Sequence, residues 1–226
     1  MIITIQRRLL SLPPGPARRA VACGLLLLVA ASLHSPGALA YSYGNPAEEQ
    51  IAEAYVAFAA ALDTDPADFT AAGEILAGIA EEARLHFGEA PVTSVQEALQ
   101  RRDRDGALAG FQRLLVLNIA RRVSNAREQI DDFAQAKILL AKAFSTYDTL
   151  SPLVKAADPD ADAALRDGFD ALLRAIGNPG LFGIGRREPD PVTFERVQND
   201  ILARLQSLFD LEEIRVGHFT EAPQAE

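Results

Sequence analysis

The chain has 226 residues, 49% of them hydrophobic, with 31 acidic against 22 basic side chains, a net charge of −9 at pH 7 and one cysteine. An acidic balance of this size opposes binding to nucleic acid or anionic lipid and favours cations or basic partners. A single cysteine excludes an intrachain disulfide and a thiolate metal cage.

Residues 1–40 carry four arginines (Arg7, Arg8, Arg18, Arg19) and no acid, then the apolar run 21–33, then Ala38-Leu39-Ala40. That order predicts a secretory signal cut after Ala40, and places the remainder in the periplasm or outside the cell. The apolar run is short of the roughly 20 residues that cross a bilayer and is followed by Ser35-Pro36-Gly37, so no membrane span is expected in the mature chain. Arg7-Arg8-Leu9-Leu10 partly resembles a twin-arginine export signal. Cys23 leaves with the leader. Four of the 22 basic residues leave too, so 18 remain against 31 acids and the net charge becomes −13.

Four Asx-Pro pairs stand at the heads of apolar-periodic segments: Asn45-Pro46, Asp65-Pro66, Asp158-Pro159 and Asp190-Pro191. The first residue can cap free N–H groups and the proline suits the first helical position, so each pair predicts a helix start. Ser94-Val95-Gln96-Glu97 adds a capping box. Leu76, Ile79, Ala83 and Phe87 share one helical stripe, as do Leu108, Phe111, Leu115, Ile119 and Val123, and Phe194, Val197, Ile201, Leu205 and Leu208. A single helix over 106–156 would be about 75 Å long, so a break is expected near Asp131-Asp132, with Asp132 and Gln135 as a further capping box. Alternating apolar and polar runs are absent and alanine is abundant, so no strand is expected.

These signals predict an all-α, up-and-down bundle of about seven helices with no sheet: 46–62, 66–87, 95–104, 106–130, 133–156, 159–176 and 191–209. Residues 41–211 form one domain, and 212–226 lose periodicity and form a flexible tail. An alternative grouping is two bundles sharing a long helix.

Chemistry-bearing residues are few. Only His86 and His218 remain beyond the leader, and neither a nucleophile elbow nor a phosphate loop occurs, so an enzyme is not expected. Glu81, Glu82, His86 and Glu89 form the leading candidate group: Glu82 and His86 are four apart on the second predicted helix, and Glu89 joins them if helical geometry survives Gly88. Two carboxylates and an imidazole suit iron, manganese or zinc; the structural alternative is a solvated acidic helix end. Glu128, Asp131 and Asp132 form a second acidic group, and Glu49 and Glu53 with Tyr55 a third. The stretch 177–187, Gly-Asn-Pro-Gly-Leu-Phe-Gly-Ile-Gly-Arg-Arg, combines four glycines with three apolar residues. Its structural reading has Gly177 stopping the sixth helix while Leu181, Phe182 and Ile184 tuck into the bundle. Its functional reading has backbone N–H groups with Arg186 and Arg187 holding an anion or an acidic partner surface.

Residues 141–176, AKAFSTYDTLSPLVKAADPDADAALRDGFDALLRAI, place Tyr147 on an alanine-rich helix before a Ser151-Pro152 turn. Asp158-Pro159 and an amphipathic helix with Leu165, Phe169 and Leu173 follow. This order resembles the extracytoplasmic helical domain of bacterial iron permeases and, more loosely, imelysin-type proteins. The resemblance implies a periplasmic helical domain of an iron-uptake system. Imelysin-like proteins carry a His-x-x-Glu motif, whose form His86-Phe87-Gly88-Glu89 has, implying a metal role for His86 and Glu89. The permease's Arg-Glu-x-x-Glu motifs are absent, so the implied role is binding or handing over metal beside a membrane permease or another periplasmic protein. Two expectations follow. One is cation binding, of iron or another divalent ion, through Glu82, His86 and Glu89; the other is a non-catalytic scaffold using the 177–187 loop and a bundle groove.

Overall fold

The structure, a computed structural model, describes residues 49–180 and 184–211. The expected leader, the Asn45-Pro46 helix start, Leu181 and Phe182, His218 and the 212–226 tail lie outside the described residues.

Among the described residues seven helices follow one another: α1 (Gln50–Leu62), α2 (Phe69–Phe87), α3 (Glu89–Gln100), α4 (Arg104–Glu128), α5 (Phe133–Ala157), α6 (Pro159–Ala175) and α7 (Pro191–Leu208). Among the described residues there is no strand, only an isolated antiparallel bridge between Asn178 and Arg187. Each helix packs against the next, α6 and α7 included although the 177–187 excursion separates them in sequence, and α7 also returns against α4. The fold is the expected all-α bundle, and no helix is long and apolar enough to cross a membrane among the described residues.

Aspartate caps set most of the boundaries. Asp132, Asp158 and Asp190 accept backbone N–H groups at the heads of α5, α6 and α7 as the sequence predicts. Two starts differ. Asp65-Pro66 lies in a turn, and α2 is capped by Asp68, which accepts from Thr70 and Ala71. Thr64 is the cause: its hydroxyl donates to the Ala61 carbonyl and accepts from the Asp68 N–H, holding the chain in a turn until Asp68. Ser94 lies inside α3, which begins five residues earlier at Glu89. Pro91 falls in that first turn, where a missing N–H breaks no helical bond. Asp103, which accepts from the Gly106 N–H, heads α4 two residues before its predicted start.

The buried apolar residues form one continuous core. Phe111 stands at its centre, with the rings of Phe58 and Tyr55 at centroid distances of 4.8 and 5.5 Å. Because α1, α2, α3, α5 and α7 all contact α4, Leu114, Val116, Ala120 and Ala126 are buried alongside the predicted stripe. Gly110 lets α3 come close: a Cβ there would lie 2.9 Å from Val95 Cγ2. The Ser151-Pro152 turn read within residues 141–176 is instead continuous helix, as the predicted 133–156 helix has it, since α5 runs on to Ala157. Pro152 forfeits the bond to the Asp148 carbonyl, and burial of Tyr147, Leu150 and Val154 carries the helix across it.

Candidate functional site

The expected metal trio is divided by a helix break. Glu82 and His86 share a face of α2, with His86 Nε2 3.8 Å from Glu82 Oε1. Gly88 then adopts φ 82° and ψ 178°, ending α2, so Glu89 opens the next helix. Its carboxylate turns to Arg84, whose Nε lies 2.8 Å away, and accepts from the Thr93 hydroxyl. Among the described residues, no group of three or more His, Cys, Asp or Glu side chains is placed to hold a metal ion. Burial holds the His86 imidazole below its ordinary pKa, and the Arg121 guanidinium adds to that effect while Glu82 opposes it.

The other acidic groups also separate. Asp132 is used as the α5 cap, while Glu128 and Asp131 are exposed. Arg127 reaches across to Glu195 on α7 at 2.6 Å. Glu53 is exposed, and the Tyr55 hydroxyl accepts from Gln112. Glu49, in contrast, is buried at the head of α1 within a polar cluster that periodicity alone does not reveal.

That cluster is assembled by four helices. Glu49 Oε1 lies 2.6 Å from an Arg122 nitrogen and 3.3 Å from Lys142 Nζ. Asn118 Nδ2 donates to Glu49 Oε2 and to the Thr146 hydroxyl. The Asn118 carbonyl oxygen accepts from Arg121 at 2.9 Å. Arg121 is only 8% exposed, and its guanidinium stands 5.9 Å from the centre of the Phe87 ring. Burial, helped by the neighbouring Arg122 charge, pulls the Arg121 pKa down to about 10 against the pull of Glu49 and Glu82. The sequence signal was the run Asn118-Ile119-Ala120-Arg121-Arg122 inside an apolar stretch, with Lys142 and Thr146 four apart on α5.

A second buried network joins α5 to α6, within the segment that carries the iron-uptake resemblance. Asp162 Oδ1 accepts from the Tyr147 hydroxyl at 2.5 Å and from Ser151 at 2.7 Å. Arg166 donates to Asp162, Ser151 and Asp148 and stands over the rings of Phe144 and Tyr147. Burial alone would raise the Asp162 pKa; the bonds from Tyr147, Ser151 and Arg166 outweigh it, and the net shift is downward. The Tyr147 hydroxyl is pushed up by burial and by its bond to Asp162. With donors and acceptors matched, this network fastens two helices together and leaves little polar capacity for a ligand.

Two surface features remain. Between α4, α5 and α7 lies a cavity of about 330 Å³, lined by Ala109, Leu153, Val154, Leu208 and Phe209, with Arg113 and Asp210 among its polar residues. The second is the loop joining α6 to α7. Asn178 and Arg187 exchange two backbone bonds of 2.9 and 2.8 Å, and the Asp190 N–H donates to the Ala175 carbonyl, closing the base. Gly177 and Gly180 take positive φ, and a Cβ at either would strike the returning strand of the loop. Ile184, expected to tuck into the bundle, is 82% exposed instead.

Compared with known proteins, the chain matches no protein family, no curated protein and no solved structure.

Proposed function

We propose that the chain is an exported, non-catalytic binding protein that holds a protein partner through the loop between α6 and α7. Export rests on the order of basic residues, apolar run and Ala38-Leu39-Ala40 in residues 1–40. The observation that carries partner binding is where the exposed apolar residues fall. Of the six large hydrophobic side chains exposed among the described residues, three (Leu173, Ile184 and Val192) belong to the end of α6, the loop and the start of α7. Scattered surface hydrophobics need no explanation, but a concentration on a braced connection marks an interaction surface. Arg187, three residues on in the same loop, is exposed too, so the fitting partner offers an apolar depression with an acidic rim.

The test is co-purification of the exported chain with its partner, comparing wild type with Ile184→Asp and Arg187→Glu. Both side chains are exposed, so both variants keep the wild-type melting temperature. This reading expects each to lower recovery of the complex about tenfold or more. A complex recovered equally from both variants contradicts it.

Cation binding beside an uptake permease is the second reading, supported by the acidic balance, the Glu82–His86 contact and the resemblance of residues 141–176 to iron-uptake domains. Arg121 opposes a metal on His86, and Arg84 competes for Glu89. This reading requires metal binding that is lost in the Glu82→Ala, His86→Ala double variant.

A further inference from the structure

We propose that the Arg121–Arg122 pair on α4 is a site for a small multiply charged oxyanion of the phosphate or sulfate class, and that the Glu49 carboxylate occupies this site in the ligand-free protein. The proposal is independent of the loop described above. A guanidinium offers five N–H donors in a rigid plane, suited to oxyanions that accept several bonds at once. Arg121 uses one nitrogen on Asn118 and lays its face toward Phe87, while its Nε is shielded from solvent and has no acceptor. Arg122 uses one nitrogen on Glu49, and its Nε is likewise shielded without an acceptor. Buried donors without acceptors are uncommon. Glu49 Oε1 is likewise shielded without a hydrogen bond although it lies 2.6 Å from an Arg122 nitrogen, so the carboxylate meets the guanidinium by charge and not by aligned bonds, a mismatch that the acceptor directions of a tetrahedral oxyanion relieve. The Arg122 charge helps to lower the Arg121 pKa, and a dianion bound to both side chains relieves that repulsion.

Glu49 is suited to leave. It stands at the cap position of α1 with extended backbone, φ −126° and ψ 115°, yet its side chain makes no capping bond, so releasing the carboxylate does not uncap the helix. Its backbone carbonyl, which accepts from Ala52 and Glu53, keeps the first turn closed when the side chain swings out. The carboxylate therefore acts as an internal competitor. The apparent affinity for an external anion is the intrinsic affinity reduced by the fraction of molecules in which Glu49 has withdrawn.

The test is calorimetric titration of the full chain with inorganic phosphate at constant ionic strength, on wild type, Glu49→Gln and Arg121→Gln. Removing the competing charge is expected to tighten phosphate binding about tenfold in Glu49→Gln. Arg121→Gln, with wild-type circular dichroism, is expected to abolish binding. Phosphate affinity unchanged in Glu49→Gln, or retained in folded Arg121→Gln, overturns the proposal. Should Glu49→Gln not fold, wild-type thermal unfolding decides: phosphate must raise the melting temperature above that in chloride of equal ionic strength, and an equal temperature overturns the site.

Discussion

A nitrogen of the Arg122 guanidinium, towards the C-terminal end of α4, lies 2.6 Å from the Glu49 carboxylate at the head of α1. The two residues are 73 positions apart, and Lys142 and Asn118 converge on the same carboxylate. Removing one partner of a buried pair leaves the other charge uncompensated, which costs far more than the pair contributes. Glu49→Ala should therefore lower the unfolding free energy by roughly 3 kcal/mol, measured by urea denaturation. A midpoint equal to wild type would show that Arg122 is solvated without Glu49.

The His86 imidazole gives a pH dependence of defined sign. Its folded pKa lies below the ordinary 6.5, so between the two values the unfolded chain binds more protons than the folded one. His86 therefore contributes stability that is fully present above pH 6.5 and is lost as pH falls from there through the folded value. His86→Gln should flatten the stability profile in that window. In Arg121→Gln the imidazole pKa, followed by NMR, should rise, because a facing positive charge has gone.

Asp162 contributes in a lower window. Its folded pKa is below the usual 3.8, so the stability it supplies is present above 3.8 and is lost as pH falls through the folded value. Tyr147→Phe removes the hydroxyl donor to Asp162 and should cost roughly 1–3 kcal/mol at neutral pH. It should also weaken the acid-side dependence. Denaturant midpoints from pH 2 to 7 measure both effects.

Two kinds of glycine should respond in opposite directions. Gly110→Ala places a methyl 2.9 Å from Val95 Cγ2 between α3 and α4, and the overpacking should cost about 1–3 kcal/mol despite the better helix propensity of alanine. At Gly78, inside α2, a Cβ meets nothing within 4 Å, so Gly78→Ala should stabilise by about 0.5–1 kcal/mol. Thermal melts of the two variants should bracket wild type.

The helices were legible in the sequence because their signals are local. Asp132, Asp158 and Asp190 sit beside the N–H groups they cap, and the Phe194-Val197-Ile201-Leu205 stripe is buried as its spacing demands. Two local competitions were hidden: Thr64 against Asp65 for the start of α2, and Gly88 against a continuous helix through Glu89. The second divides the expected metal trio. The 177–187 loop was legible as a candidate from its glycines, apolar residues and arginines, but the buried polar cluster was not. Glu49, His86, Arg121 and Lys142 come from the heads or bodies of four helices, and only their packing brings them together, while the backbone bonds that close the loop base at Asn178, Arg187 and Asp190 are not encoded in composition.

The central claim, that the α6–α7 loop is a docking surface, is tested most directly by a photo-crosslinking residue at position 184 in cells that export the chain. Position 56, where Val56 is 59% exposed on α1, is the control. The account predicts one discrete adduct from position 184, absent from position 56 and lost when Arg187→Glu is added. No adduct at 184, or the same adducts from both positions, would contradict it.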